Sequence, residues 1–360
     1  MSNNSNSENL FLPNNHSNYK TKWRNVSPSV WRKVEQISSK YYDLGYIKDI
    51  KQNDEWEKMS NNFKISSIKD GILISSLLRK NINIKNIRKI NSIEKISSFL
   101  RLKGVVTPKI KPTKTGENCC HSDSHYWQLF EFIPGDHYRG TESQLKNVAM
   151  EISKMHTVFS EIPFEVEKKA KIAWKKNEWE DMFERSKFGG TELDNKIYKE
   201  KEYITDTINW VGNNYEPTIQ TFQAIHGDLH PQNTLYQGNK LVGILDFDDT
   251  KVSERIRDFG NALHRFVRQY VVFQNKPWKE ELPKGIFMFI NSYSKIININ
   301  EKELRTTEVL MKDELLRKLF VGLKQYYVDG DDRHISHGEF EKKINLLKET
   351  RFFGKILKSY

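Results

Sequence analysis

The stretch AIHGDLHPQNTLY, residues 224–236, sets His226, Asp228, His230 and Asn233 within eight positions between apolar residues. A polar cluster between two apolar runs reads as a loop held at a strand end, and loops on rigid scaffolds are where chemistry concentrates. Thirteen residues past Asn233, the run ILDFDD adds Asp246, Asp248 and Asp249. Asp228, Asn233 and Asp246 all offer hard oxygen atoms, a donor set that suits Mg²⁺, which keeps several waters and shares its remaining positions with substrate phosphates. A carboxylate left off the metal can orient an incoming hydroxyl. That division of labour is the one phosphoryl transfer needs: one Asp for the hydroxyl proton, an Asn and a second Asp for the metal.

These residues need elements to hold them. LYQGNKLVGILDF reads as a strand, a turn at Gly238-Asn239 and a second strand, so a single hairpin carries the chain from the first cluster to the second. Upstream, residues 61–132 alternate in short runs broken by turn residues (NFKISSI, KDG, ILISSLL, NINIK, YWQLFEFI), the pattern of a small, mostly antiparallel sheet. One helix interrupts it after Ser92, with Ile93, Ile96, Phe99 and Leu100 at helical spacing. Before the sheet, Ser27 can cap a helix with Pro28 in its first turn, running to Gly45. Past Pro134-Gly135 helical periodicity dominates, as in LKNVAMEISKMHTVF and FEKKINLLKETRFFGKIL. The organisation expected is an Asn/Ser-rich disordered tail over 1–25, a sheet lobe over 26–132 and a mainly helical lobe over 133–360.

HGDLHPQN followed by ILDFDD resembles the aminoglycoside phosphotransferase and choline kinase superfamily, small-molecule relatives of the protein kinases. Gly227, where protein kinases usually carry Arg, favours the small-molecule side, and the character is similar to the branch of type II homoserine kinase-like and antibiotic kinases. LFEFIPG resembles the lobe-connecting hinge of that family, and RIRDFGNAL its segment in which an Asp, here Asp258, buttresses the catalytic loop. The resemblance implies a two-lobed α+β protein-kinase-like fold and transfer of the γ-phosphoryl group of ATP to a hydroxyl of a small molecule. It implies Asp228 as the catalytic residue, Asn233 and Asp246 as Mg²⁺ ligands, and backbone groups around Glu131 and Ile133 for the adenine. The phosphate-contacting Lys paired with a Glu on the next helix is placed on Lys85, in INIK, and Glu94. Arg79 and Lys80, ending SLLRK, compete with Lys85. No G-x-G-x-x-G loop is present; KMSNNFKI, with Ser60 and Asn61, stands where it would cover the phosphates.

The remaining composition bounds the alternatives. With 360 residues, 37% hydrophobic and 12% aromatic, the chain can build two lobes. Its net charge of +11 is scattered without long basic blocks, so a small anionic substrate fits better than nucleic acid. The two adjacent cysteines, Cys119 and Cys120, point to a reducing, cytoplasmic setting. CCHSDSH lacks the separated ligand pairs of a structural zinc site and reads as a polar hairpin loop. No apolar run spans a membrane, and no apolar signal core is seen. Two rival readings are a catalytically silent kinase-like structural or binding protein and a nucleic-acid-binding protein. Among individual residues, His226 reads as a hydrogen-bonding residue of the loop, His156 as core, and His230, Asp248 and Asp249 as open between the site and solvent. The acidic VDGDDRH reads as a solvated loop.

Overall fold

The computed structural model describes residues 23–53, 61–81, 84, 86–166, 176–217, 221–274 and 277–359. Strand β1 (Trp23–Asn25) is followed by helix α1 (Pro28–Tyr41), then β2 (Tyr46–Asn53), β3 (Asn62–Lys69), β4 (Ile72–Asn81) and α2 (Ile87–Leu102). Next come β5 (Ile110–Lys111), β6 (Cys120–Ser122) and β7 (His125–Glu131). All pairings are antiparallel, in the order β1-β2-β3-β4-β7-β5, with β6 also on β7.

Local chemistry explains these elements. Ser27 caps α1 by accepting from the Val30 N–H, and Pro28 fills the first turn, where no partner for an N–H is needed. The β3–β4 hairpin turns on Asp70 (φ 52°) and Gly71 (φ 77°), both left-handed, which matches the twist of the flanking strands. In β3 and β4, Phe63, Ile65 and Leu78 are buried; with Trp127 and Leu129 of β7 they pack against Val34 and Ile37 of α1.

Three expectations need correction. The sheet begins before residue 61: β2 and β1 precede it, and residues 23–25 belong to the sheet rather than to the tail, of which residues 1–22 lie outside the described residues. Helix α2 starts at Ile87, capped by Asn86, whose side chain accepts from the Arg88 N–H at 2.9 Å. Most important, the strand beside β7 is β4, ILISSLLRKN; of NINIK, residues 82, 83 and 85 lie outside the described residues. Arg79 and Lys80 therefore lie inside the sheet, with β3 on one side and β7 on the other. CCHSDSH forms the β6–β7 hairpin as expected, with Cys119 and Cys120 buried as free thiols. Among the described residues, no group of three or more His, Cys, Asp or Glu is placed to hold a metal ion, and no helix is long and apolar enough to cross a membrane.

Beyond β7 the chain is mostly helical: β8 (Asp136–His137), α3 (Glu142–Ser160), α4 (Lys176–Gly189), α5 (Glu192–Lys199) and α6 (Lys201–Asn214). Then come β9 (Phe222–Ile225), β10 (Thr234–Gln237), β11 (Lys240–Ile244) and β12 (Lys251–Glu254), and the helices α7 (Arg255–Gln274), α8 (Trp278–Tyr293), α9 (Glu301–Lys324) and α10 (Glu339–Leu357). The main core joins α3, α7 and α8 through residues such as Ile152, Phe259, Phe266 and Phe289, all fully buried. A second core, around Trp179, Leu316 and Phe320, packs α4 and α6 on α9. Buried charges tie α7 to α9 and to the end of β12: Arg257 meets Asp313 of α9 at 2.5 Å and Glu254 of β12 at 2.8 Å, and Arg255 meets Glu303 of α9 at 2.5 Å. Removing one partner would strand a buried charge at a cost of several kcal/mol, which fixes the relative position of these helices. The result is the α+β class expected, a small antiparallel sheet followed by a helical body.

Candidate active site

Two short strand pairs bring both clusters to one place. β12 runs antiparallel to β9, with Lys251 opposite Ile225, and β10 pairs with β11 through the turn at Gly238-Asn239. The loop 226–233 leaves β9 just where the loop 245–250 enters β12. Leu245 donates its N–H to Asn233 O at 2.9 Å, so the loops touch at their far ends as well.

Asp258, in the first turn of α7, accepts the N–H groups of His226 and Gly227, each at 2.9 Å, and His156 Nε2 lies 3.1 Å away. Burial opposes its charge, yet the His156 contact and the donated N–H groups hold the carboxyl below its usual range. His156 is core as expected, and its Nδ1 in turn meets the Tyr293 hydroxyl at 2.7 Å. His226 Nε2 lies 2.9 Å from Leu245 O and must donate to it, while Nδ1 accepts from the Asp228 N–H at 3.3 Å. With one nitrogen donating and one accepting, the imidazole is a strut between the loops. Its ring also packs at a tilt against Phe247, with ring centres 4.7 Å apart. Gly227 has φ +82°, and a Cβ there would stand 2.5 Å from Asp249 O. No side chain fits, because the two loops approach through their backbones.

Asp228 projects from this frame. Its Oδ1 receives Lys318 Nζ at 2.7 Å, and its Oδ2 lies 3.3 Å from His230 Nε2. Burial pushes its carboxyl upward, but Lys318 and His230 outweigh that and hold it well below the usual carboxylate range. Asn233 turns its amide nitrogen to Asp228, donating to the backbone carbonyl at 3.0 Å, and so leaves its Oδ1 as the atom with lone pairs to offer. Asp246 caps the next turn with φ 63° and ψ 71°, left-handed for a residue that is not glycine. Such conformations cost energy and cluster at sites whose geometry is over-determined. Arg79 reaches this turn from β4: its guanidinium lies 3.4 Å from Asp246 Oδ1 and 2.5 Å from Asp248 Oδ2.

The predicted residues thus divide. Asp228, Asn233 and Asp246 come together around the two loops. Glu131 ends β7 opposite Ser76 of β4, with its carboxylate 3.1 Å from Lys109 Nζ, and Ile133 packs over Gly243 of β11. Both therefore stand where the sheet passes into the helical body. Glu94 is engaged within α2, where its carboxylate holds Arg101 at 2.6 Å and Ser98 at 2.7 Å. Lys85 and Ser60 lie outside the described residues, and Asn61 accepts the Lys80 N–H at 2.7 Å. Sequence reasoning gave no place at all to Lys318. The available signal was a lysine on a helix turn between Leu316 and Leu319, a position where a charge needs a partner.

A sheet lobe, a helical body and two carboxylate loops joined by one hairpin define a kinase-like phosphotransferase. Residues 88–281 match the phosphotransferase enzyme family, and the chain belongs to that family of small-molecule kinases. It is 22% identical over 319 residues to a homoserine kinase of Rhizobium rhizogenes, covering 88% of this chain and 92% of the relative. Among solved structures, an aminoglycoside phosphotransferase from Alicyclobacillus acidocaldarius is similar with a TM-score of 0.62 at 13% identity, covering 94% of this chain and 97% of the other. An amicoumacin kinase in complex with AMP-PNP, Ca²⁺ and Ami gives a TM-score of 0.59 at 14% identity, covering 90% and 92%.

Proposed function

We propose that the protein transfers the γ-phosphoryl group of ATP to a hydroxyl of a small molecule, with Asp228 orienting that hydroxyl and accepting its proton. The observation that carries this reading is the pair of loops that sets Asp228 apart from Asp246 and Asp248 while holding both on one backbone frame. In the reaction, the acceptor oxygen bonds to the γ-phosphorus, its proton passes to an Asp228 oxygen, and the bond from that phosphorus to the β-phosphate oxygen breaks with its electrons leaving on ADP. Catalysis of this kind is chiefly positioning and charge stabilisation. Lys318 and His230 keep Asp228 ionised, and Asp258 and His226 fix the loop that carries it.

The donor set fits a divalent metal. Asn233 Oδ1 and the Asp246 carboxylate are the groups that would hold Mg²⁺, which when bound neutralises charge on the nucleotide phosphates. The amicoumacin kinase complexed with AMP-PNP and Ca²⁺ supports a nucleotide and a divalent cation in this fold. The hinge between the lobes 26–132 and 133–360, at Glu131 and Ile133, is the place for the adenine, and a cytoplasmic setting supplies the ATP. Release of ADP, followed over a panel of alcohols, amino alcohols, hydroxy acids and aminoglycosides, tests the reading. Turnover with one acceptor class is expected; no ADP release and no MgATP binding would return the protein to a silent, structural role.

Arg79 takes the phosphate-facing role assigned from the sequence to Lys85. It lies inside the sheet on the strand next to β7 and reaches the metal loop, so it can exchange the carboxylates for phosphate oxygens bidentately. Arg79→Ala is expected to raise KM for ATP and lower kcat together, by about a hundredfold in kcat/KM, on the scale of a charge-assisted hydrogen-bonded pair. Lys80→Ala, one residue away and turned to the other face of β4, should change both little. Steady-state kinetics of both variants beside Lys85→Ala decides; a loss confined to Lys85→Ala would leave Arg79 as a counter-ion only.

A further inference from the structure

A cavity of about 240 Å³ lies between α2 and the residue that follows the Asp246 turn. Its wall on α2 is polar at one end, where Arg88, Lys89 and Ser92 stand at helical spacing on one face. The other end is apolar: Ile93, Ile96 and Val166 line it and pack into the main core. Thr250, directly after Asp249, completes the lining. These walls are fastened. Phe164, two residues before Val166, meets Phe99 of α2 edge to face with ring centres 6.1 Å apart, and Lys95 Nζ stands 4.1 Å over the Phe164 ring. The Thr250 N–H donates to Phe247 O at 3.1 Å.

Thr250 is only 7% exposed, and its hydroxyl has no hydrogen-bond partner among the described residues. A buried hydroxyl left so carries a desolvation penalty that a bound acceptor removes. The positive end of the cavity is a property of side chains rather than of the helix terminus. Asn86 already takes the first N–H groups of α2, that of Arg88 on its side chain at 2.9 Å and that of Lys89 on its carbonyl at 3.1 Å. No acid occupies the first turn of α2. Asp248 is near enough for its charge to act on Lys89, but Arg79 holds that carboxylate at 2.5 Å.

We propose that this cavity is a binding site for a small phosphate monoester, with the phosphoryl oxygens on Arg88, Lys89 and the Ser92 and Thr250 hydroxyls and the alkyl group against Ile93, Ile96 and Val166. A dianionic phosphoryl group has three terminal oxygens with which to accept from two cations and two hydroxyls together, where a carboxylate has two. The volume, at about 30 Å³ for each water displaced, holds a phosphoryl group with a chain of a few carbons and is too small for a nucleotide. The site is therefore an addition to the one that takes ATP, and it does not depend on the phosphotransfer reading.

Calorimetry of the full chain with butyl phosphate tests this, alone and with saturating AMP-PNP and Mg²⁺. Saturable binding is expected in both conditions, with butan-1-ol and inorganic phosphate each about tenfold weaker or worse. Arg88→Gln and Thr250→Val should each weaken butyl phosphate by about ten- to a hundredfold, the scale of one hydrogen bond to a charged group, while MgATP affinity holds. Because the Thr250 hydroxyl is unpartnered, the near-isosteric valine should also leave the melting temperature level or raise it. Absence of butyl phosphate binding overturns the proposal, and so does its displacement by the nucleotide, which would place it in the ATP site. Unchanged affinity in either variant overturns it as well, as does a lowered melting temperature in Thr250→Val, since the hydroxyl would then serve the fold. Failure of phosphotransfer reads out separately, as no ADP release with any acceptor.

Discussion

Asp228→Asn should lower turnover by about two to four orders of magnitude, the usual worth of a positioned base, and leave MgATP affinity nearly unchanged. The substitution preserves size and removes only the charge and the ability to take a proton. Asp258, His226 and Asn261 hold the surrounding loop through backbone groups, so its path does not depend on that carboxylate. Lys318 loses its 2.7 Å partner, but it is only half-buried and can rehydrate. Single-turnover kinetics with a working acceptor, paired with nucleotide titration, make the measurement. Near-normal turnover would remove Asp228 from the chemistry.

Asp246→Asn is expected to act on the opposite quantity. Asn tolerates the left-handed backbone at φ 63°, so the loop keeps its shape while the carboxylate proposed to hold the metal disappears. Metal-dependent binding of ATP should weaken by about a hundredfold or more, the scale of a lost charge-assisted contact. Arg79 would retain Asp248 at 2.5 Å, so the sheet should stay anchored to the loop and the melting temperature should move little. Calorimetry with and without Mg²⁺ separates the two effects. Unchanged affinity would shift the metal role to Asp248.

Much of this site was legible because it is local. His226, Asp228 and Asn233 fall in one loop, and a tight turn at Gly238-Asn239 is enough to predict that the DFDD loop returns to meet them. Arg79 was less legible for a physical reason. Which strand lies next to β7 is decided by pairing across distant residues, and an apolar run such as NINIK satisfies the same alternation as ILISSLLRKN. β2 was missed since YIKDIKQN carries Lys, Asp, Gln and Asn, poor strand formers taken alone, and is recruited by pairing with β3. Lys318 was invisible because nothing near it in sequence hints at a carboxylate. Glu94 carries a contact no spacing rule foretold: within its own helix it meets Arg101.

The contributions to the site lie far apart along the chain. The bonds from Asp258 to the backbone of His226 and Gly227 close within a span of 32 residues, whereas the lysine touching Asp228 arrives from 90 residues downstream. The loop frame is thus a compact segment of the chain, and α9, which supplies Lys318, reaches it from far along the sequence. A substitution in α9 that removes Lys318 is therefore expected to change the charge environment of Asp228 while the loop frame keeps its shape.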